Sequence, residues 1–565
     1  MKICKPAIVL TLVAFLTLTW SFKEDLFEIS KNLDIFVSLY KEINMNYVEE
    51  TNPAELMQTG VDAMLESLDP YTEYIPESEI ENYKLRYVST QFGGIGASTV
   101  FIEGKLFIND VSEGYPANKQ DLKPGDQLVK INGVEVKGKE RSQISRMLRG
   151  PRGAPVSLLI IRDGAIITKT LIREEIKLPN VPFAAILGDH IAYIRLDKFL
   201  ENSAQEVKDA ALALNKQQPR GMVLDLRYNG GGILQEAVKI VNLFVEKNVL
   251  IVSQRGRNPE KTVNYRTVNQ ALFPQIPLII LISGSSASAS EIVAGALQDL
   301  DRAVVVGQRS YGKGLVQQTF SLPYNSLVKV TVAKYFTPSG RCIQAIDYAH
   351  RGISGTRDRI ADSLITKFNT RSGRNVYNGN GIYPDVLVNN PRRSPILLSL
   401  INKNMFFDFA NRYKSQNSHI SSASDFQISD KDYLSFVNSL ADKDYTYTSN
   451  TERLLSDLRT EAELENKLSI VKGDLEDLKQ KMLSVKKAEL NTNKEEIKEA
   501  LETQIVSRYF YEKGRIVQAF QYDKDLYTAL DLLKSSTKML AILKGEGTFK
   551  TIGDPAKTTL AVVNN

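Results

Sequence analysis

The stretch SGSSASASEIVAGALQ, residues 283–298, follows a greasy run, PLIILI (277–282), and leads into an apparent helix. Two readings compete for its serines. Ser288 and Glu291 fit a capping box, in which serine and glutamate satisfy each other's orphan amides. Alternatively, Ser288 stands at a strand-to-helix corner, where first-turn amides and the helix dipole favour developing negative charge. Ala287 and Ala289 are small enough to let a substrate backbone approach.

Composition narrows the chemistry. The chain has 565 residues, 43% hydrophobic and 24% charged, which suits several globular domains. A net charge of +5 gives no argument for nucleic acid. The three histidines, His190, His350 and His419, are widely spaced, which speaks against a zinc site and against a histidine-based triad. No metal or cofactor is expected. Any catalytic base is sought elsewhere.

At the N-terminus, Lys2 and Lys5 precede an apolar run from Ala7 to Phe22, closed by Lys23 and Glu24. This is the pattern of an export signal, expected to deliver the chain to the periplasm or cell envelope. The run is shorter than the ~20 residues that span a bilayer comfortably. Trp20 and Phe22 stand where a cleavage site wants small residues, so residues 1–22 are either a signal peptide or an inner-membrane anchor. Cys4 lies within this segment, leaving Cys342 alone after it and no intrachain disulfide to form.

Periodicity divides the remainder. Residues 23–88 read as helical up to the Pro-rich exit LDPYTEYIP. Residues 89–178 alternate as short strands with turns, around a short helix in SQISRMLRG and a closing hairpin from APVSLLIIRDG to AIITKTLIR. Residues 179–390 change to α/β, with GMVLDL, PLIILIS and RAVVVG as buried strands and ILQEAVKIVNLFV and SEIVAGALQ as helices. Residues 391–565 are helical and polar. Within about 451–502, Leu464, Leu468, Val471, Leu475, Leu478, Met482 and Val485 form a heptad seam. It predicts a coiled-coil-like hairpin or arm, more readily on its own chain than on a second copy.

A serine needs a neighbouring base, and YGKGLVQQ (311–318) offers Lys313 between two glycines. Bringing its pKa from ~10.4 to ~7 takes more than ~4 kcal/mol, within reach of an apolar pocket. If LVQQTF is a strand, Gln317 shares the parity of Lys313 and its amide can orient the amine. The plainer reading of Lys313 is a solvated lysine in a glycine turn. DLRYNGGG (225–232) follows the strand GMVLDL and makes a loop whose amides can approach a ligand. It lacks the GK[ST] and G-x-G-x-x-G signatures of phosphate loops. A second oxyanion donor would come from Gly231 or Gly232, beside Ala289.

Together these stretches resemble the active-site region of the C-terminal processing (tail-specific) serine proteases. GSSASASEIVAGALQD, GQRSYGKGLVQQ, DLRYNGGG, KYFTPSGRCIQ (334–344) and GIYPD (381–385) stand in the order that family uses, within about residues 89–390. The resemblance implies a crotonase/ClpP-like α/β protease core with an inserted, mainly-β PDZ domain and helical N- and C-terminal regions. It implies Ser288 as nucleophile, Lys313 as general base, Gln317 as the third member, and Ala289 with Gly231 or Gly232 as oxyanion donors. FGGIG (92–96) with LRGPRG (148–153) is similar to a PDZ domain, in which Gly94, Ile95 and Gly96 would cradle a peptide carboxylate and Arg149 would add positive charge. Two features depart from the family: Cys342 stands where serine is more usual, and residues 345–378 form a long polar insert.

The expectation is therefore an exported serine endopeptidase that cleaves protein or peptide C-terminal tails with a Ser-Lys dyad. Two rivals stand against it. An inactive PDZ scaffold would have no need of Ser288, Lys313 and Gln317 together. A crotonase-like acyl-CoA enzyme would not carry an export signal. The C-terminal helices are candidates for covering the core, for self-association or for an adaptor, and the N-terminal segment for membrane association.

Overall fold

The computed structural model describes residues 5–89, 91–348, 358–389, 393–445 and 447–546, with side chains from residue 26 onward except at 261 and 362. The side chains of the N-terminal apolar run, Cys4, His350 and the centre of the polar insert (349–357) lie outside it. Among the described residues, no helix is long and apolar enough to cross a membrane. The chain divides into two units, one of residues 1–77 with 317–331, the other of 78–316 with 332–565.

In the smaller unit, helices Lys5–Asn46 and Pro53–Glu66 lead to a strand, Glu73–Ile75, inside the exit that reads as a Pro-rich loop. The strand pairs antiparallel with Leu327–Lys329, and Glu73 forms an ion pair with its partner Lys329. Pro70 and the turn signals around it hide so short a strand from periodicity.

The larger unit contains an α/β core. Its six strands run in the order Phe183–Leu187, Ile191–Arg195, Gly221–Asp225, Leu278–Ile282, Val304–Gly307, Val386–Leu387. The first pair is antiparallel and all later pairs are parallel. The unbroken apolar run of Leu278–Ile282 is explained by burial on both faces. Leu278, Ile280 and Ile282 face helices Ser203–Asn215, Leu234–Asn242 and Ala289–Asp299. Ile279 and Leu281 face Leu526, Ala529, Leu532 and Leu533 of helix Lys524–Lys534. One layer of this core therefore comes from the far C-terminus.

The segment before the core is a mainly-β module. Its sheet runs Ala97–Ile102, Lys105–Val111, Gln127–Ile131, Pro155–Arg162, Ala165–Ile172, so Ala97–Ile102 is an edge strand. Val156, Leu158 and Ile160 alternate inward onto Ile144 and Leu148 of helix Arg141–Leu148. Strands Gln91–Gly94 and Glu174–Lys177 pair antiparallel and bring the two ends of the module together.

In the C-terminal bundle, helices Asn450–Leu464, Leu468–Thr492 and Lys494–Ala519 follow one another, the first two packed together on one chain, with Leu464 of the heptad seam in the first and Leu468 to Val485 in the second. Asn466 takes a left-handed φ of 57°, and Lys467 N–H closes back onto Ala462 O at 2.8 Å, which stops the first helix. Leu464, Leu478 and Val485 of the seam are 72, 45 and 60% exposed.

Candidate active site

Three loops leave the C-terminal ends of adjacent parallel strands, the edge where open α/β sheets gather their ligands. They are 226–232 after Gly221–Asp225, 283–288 after Leu278–Ile282, and 308–313 after Val304–Gly307.

Ser288 stands at the corner before helix Ala289–Asp299 with φ 55° and ψ −113°. Such a backbone costs a non-glycine residue about 1–3 kcal/mol and persists only when its surroundings over-determine it. Here they do. Ser288 N–H donates to Glu291 Oε2 at 2.8 Å, so the glutamate half of the expected capping box is made. Both neighbours, Ala287 and Ala289, are buried, while Ser288 is only half-buried. Among the described residues, Ala289 N–H at the first helical position meets no acceptor.

Glu291 does more than cap. Fully buried, it accepts Ser310 Oγ–H at 2.5 Å and Gly312 N–H at 2.7 Å on Oε1, and on Oε2 it accepts Lys313 N–H at 2.9 Å beside that of Ser288. Burial pushes its carboxyl up to about 7, opposed by these hydrogen bonds. On the other side, the hydroxyl of buried Tyr335 lies 2.6 Å from Lys313 O and 3.1 Å from Ser288 O. One carboxylate and one phenol thus hold the Ser288 and Lys313 backbones together.

The glycines around Lys313 have a packing reason. Gly312 has φ 90°, and a Cβ there would fall 2.4 Å from Ala345 Cβ; one on Gly314 would fall 2.8 Å from Gln344 N. Gln344 Oε1 accepts Gly314 N–H at 2.7 Å, and Ala345 N–H donates to Gly312 O at 2.9 Å. The motif KYFTPSGRCIQ therefore clasps the lysine turn. Lys313 itself is half-buried. Gln317 lies in strand Leu315–Ser321, and its amide donates to Thr331 Oγ1 at 3.1 Å.

The glycine loop abuts the serine. A Cβ on Gly231, at φ 94°, would lie 2.7 Å from Ser288 Cβ and 2.8 Å from Ala289 N. Buried Asn229 fastens the loop: its carbonyl accepts Ala287 N–H at 3.0 Å and Ser290 Oγ–H at 2.8 Å. Its Oδ1 accepts Gly231 N–H at 2.9 Å, so that amide already has an acceptor. Gly232 turns toward Phe199, whose carbonyl would lie 2.3 Å from an added Cβ.

Far from the serine, other motif residues are architectural. Buried Arg341 donates to Gln298 Oε1 at 2.7 Å, and Gln298 donates to Asp385 Oδ1 of GIYPD at 2.9 Å. Cys342 is half-buried, and desolvation raises its thiol above the usual range.

In the β module, Gly94 pairs with Glu174, and Ile95 is buried with its carbonyl accepting Ala117 N–H at 2.8 Å. Gly96, at φ 71°, packs where a Cβ would meet Tyr115 at 2.4 Å. These residues lead directly into the edge strand. Arg149 donates to Asn82 Oδ1 at 3.0 Å, and its guanidinium carbon lies 5.0 Å from the centroid of the Phe92 ring, at the start of FGGIG. The structure brings the serine corner, the lysine turn and the glycine loop singled out in the sequence close together. Sequence reasoning took Glu291 only as a cap and missed Tyr335.

Known families and proteins match several parts of this chain. Residues 190–355 match the family described as "Peptidase family S41", 107–162 match "PDZ domain", and 396–533 match "Probable PDZ-protease, C-terminal helical domain". The chain is 34% identical over 322 residues to a carboxy-terminal-processing protease of Bartonella bacilliformis, covering 56% of this chain and 73% of that protein. It is 33% identical over 316 residues to a probable CtpA-like serine protease of Staphylococcus aureus, covering 55% of this chain and 62% of that one. Among solved structures, the photosystem II D1 C-terminal processing protease is similar over 63% of this chain and 92% of that chain, with 25% identity and a TM-score of 0.33.

Proposed function

This chain belongs to the carboxy-terminal-processing proteases of peptidase family S41, and from that premise we propose that it is an exported endopeptidase that cleaves protein C-terminal tails with a Ser288–Lys313 dyad. The observation that carries the reading is the shared anchoring of both backbones on Glu291 Oε2.

In this mechanism Lys313, neutral, takes the proton of Ser288 Oγ as Oγ bonds to the peptide carbonyl carbon. The carbonyl oxygen gains the charge and is held by Ala289 N–H and an amide of the 230–232 loop. The C–N bond then breaks, and Lys313 passes its proton to the leaving amine. A water attacks the acyl-enzyme with Lys313 again accepting a proton, and Ser288 leaves protonated. Gln317 is assigned to orienting the amine on sequence grounds alone.

Lys313 is half-buried in the free chain. A bound substrate covers the amine and excludes water from it, which favours its neutral form. The tail is first captured as an added strand on the edge Ala97–Ile102, with its carboxylate at Gly94, Ile95 and Gly96. The basic and apolar pattern of residues 1–22 supports export. Incubation with a peptide of apolar C-terminus tests the reading: the wild-type chain releases fragments and Ser288→Ala does not. Absence of fragments from the wild type would overturn it.

A further inference from the structure

The loop that carries the glycines is also bound to the last layer of the core. Arg227 is the junction. Its Nε donates to Asp225 Oδ1 and Oδ2 at 3.0 and 3.1 Å, and its Nη2 to Asp225 Oδ2 at 2.6 Å. Its Nη1 and Nη2 form a bidentate pair with Asp523 Oδ1 and Oδ2 at 2.7 and 2.6 Å, and Nη1 reaches Asp525 Oδ2 at 3.2 Å. The side chains of Arg227, Asp225, Asp523 and Asp525 are 12, 5, 13 and 4% exposed. Tyr193 donates to Asp225 Oδ2 at 2.6 Å, and Gln308 donates to Asp525 Oδ1 at 3.2 Å.

Both limbs of the site start from this cluster. Two residues after Arg227 comes Asn229, which fastens the glycine loop against Ala287 and Ser290. Two residues after Gln308 comes Ser310, then Gly312 and Lys313, which hold Glu291. Adhesion alone does not account for three carboxylates around one guanidinium. Leu526, Ala529, Leu532 and Leu533 already bury this helix face, and buried ion pairs add little stability over apolar packing. A planar, five-donor fork does fix direction.

We propose that Asp523 and Asp525 are positioning residues for the active site: from the C-terminal helical region they hold Arg227 and Gln308, and so set the glycine loop and the lysine limb relative to Ser288. The C-terminal helical region is then part of the catalytic unit. This rests on the serine-peptidase reading above.

The test uses the full chain and the variants Asp523→Asn, Asp525→Asn and Leu530→Ala. Asparagine at 523 keeps an acceptor for Leu526 N–H, which Asp523 Oδ1 now caps at 2.9 Å. Leu530→Ala loosens the same helix without touching Arg227. For each, kcat, KM, thermal midpoint and amide hydrogen exchange over residues 226–232 are measured. Positioning predicts that the two aspartate variants lose about 10- to 100-fold in kcat with KM within about twofold, and that 226–232 exchanges faster. Leu530→Ala lowers the midpoint and keeps kcat. Unchanged kcat and exchange in both aspartate variants would overturn the proposal, as would an equal loss of kcat in Leu530→Ala or failure of both aspartate variants to fold. Should the wild type cleave nothing, the peptidase reading falls, and the exchange measurement still judges the positioning.

Discussion

Ser288 and Lys313 give their backbone N–H groups to the same oxygen, Oε2 of Glu291, at 2.8 and 2.9 Å. The register between serine and lysine is therefore set by main chain. Their side chains can be removed without releasing it, and three residues around them carry separable predictions.

Glu291 titrates in a useful range. Its carboxyl is raised by burial from 4.5 to about 7. A raised acid favours its protonated form in the folded chain, so its contribution to stability is full below pH 4.5 and is lost as pH rises through about 7. The swing is about 3 kcal/mol. Glu291→Gln removes that dependence, so urea unfolding from pH 4 to 8 has a flatter profile than in wild type. Identical profiles would mean that Glu291 does not titrate there. Turnover also falls, because an amide offers one acceptor oxygen where the carboxylate offers two.

Tyr335→Phe removes the donor shared by Lys313 O and Ser288 O while keeping the ring that fills its buried site. The expected cost is about 1–2 kcal/mol in unfolding free energy, with a lower kcat and an unchanged KM. Wild-type kcat would show that Glu291 alone sets the register.

Gly231→Ala meets two obstacles at once. The residue has φ 94°, and its new Cβ would fall 2.7 Å from Ala287 O and from Ser288 Cβ. It loses about 1–3 kcal/mol of stability and nearly all turnover. Gly230→Ala is the control, since a Cβ there meets nothing within 4 Å, and its thermal midpoint stays at the wild-type value.

Peptide capture on the edge strand separates from chemistry. Amidating the C-terminus of a substrate peptide removes the carboxylate, raising KM and leaving kcat. Gly96→Ala, whose Cβ would press on Tyr115 at 2.4 Å, weakens binding of the free-acid peptide and leaves the amidated one unaffected. Equal KM for acid and amide would place tail recognition elsewhere.

What was legible in the sequence followed from local signals. The unbroken run at Leu278–Ile282, the glycines at 230–232 and the serine corner each mark the end of a strand, and the structure has strands there. What escaped is long in sequence separation. Asp523 lies 296 residues beyond Arg227, and nothing in DKDLYTALDLLK (523–534) distinguishes an acid that pairs in the core from one that only caps a helix. Glu291 was visible through S-x-x-E, yet that pattern reports only one of its oxygens. Tyr335 stands in the strand Leu327–Phe336, of mixed polarity, where one of two adjacent aromatics gives no sign of pointing at a carbonyl pair. The heptad spacing hides one break: Leu464 ends one helix and Leu468 to Val485 lie in the next, because leucine spacing continues across the left-handed stop at Asn466.

The turnover of Lys313→Ala tests the dyad most directly, measured beside Ser288→Ala on a peptide of apolar C-terminus. Both variants keep the wild-type thermal midpoint and bind the peptide, since the Glu291 anchors use their main chain. Ser288→Ala has no turnover, and Lys313→Ala loses about 10²- to 10⁴-fold in kcat. A Lys313→Ala chain that cleaves at the wild-type rate contradicts a lysine base.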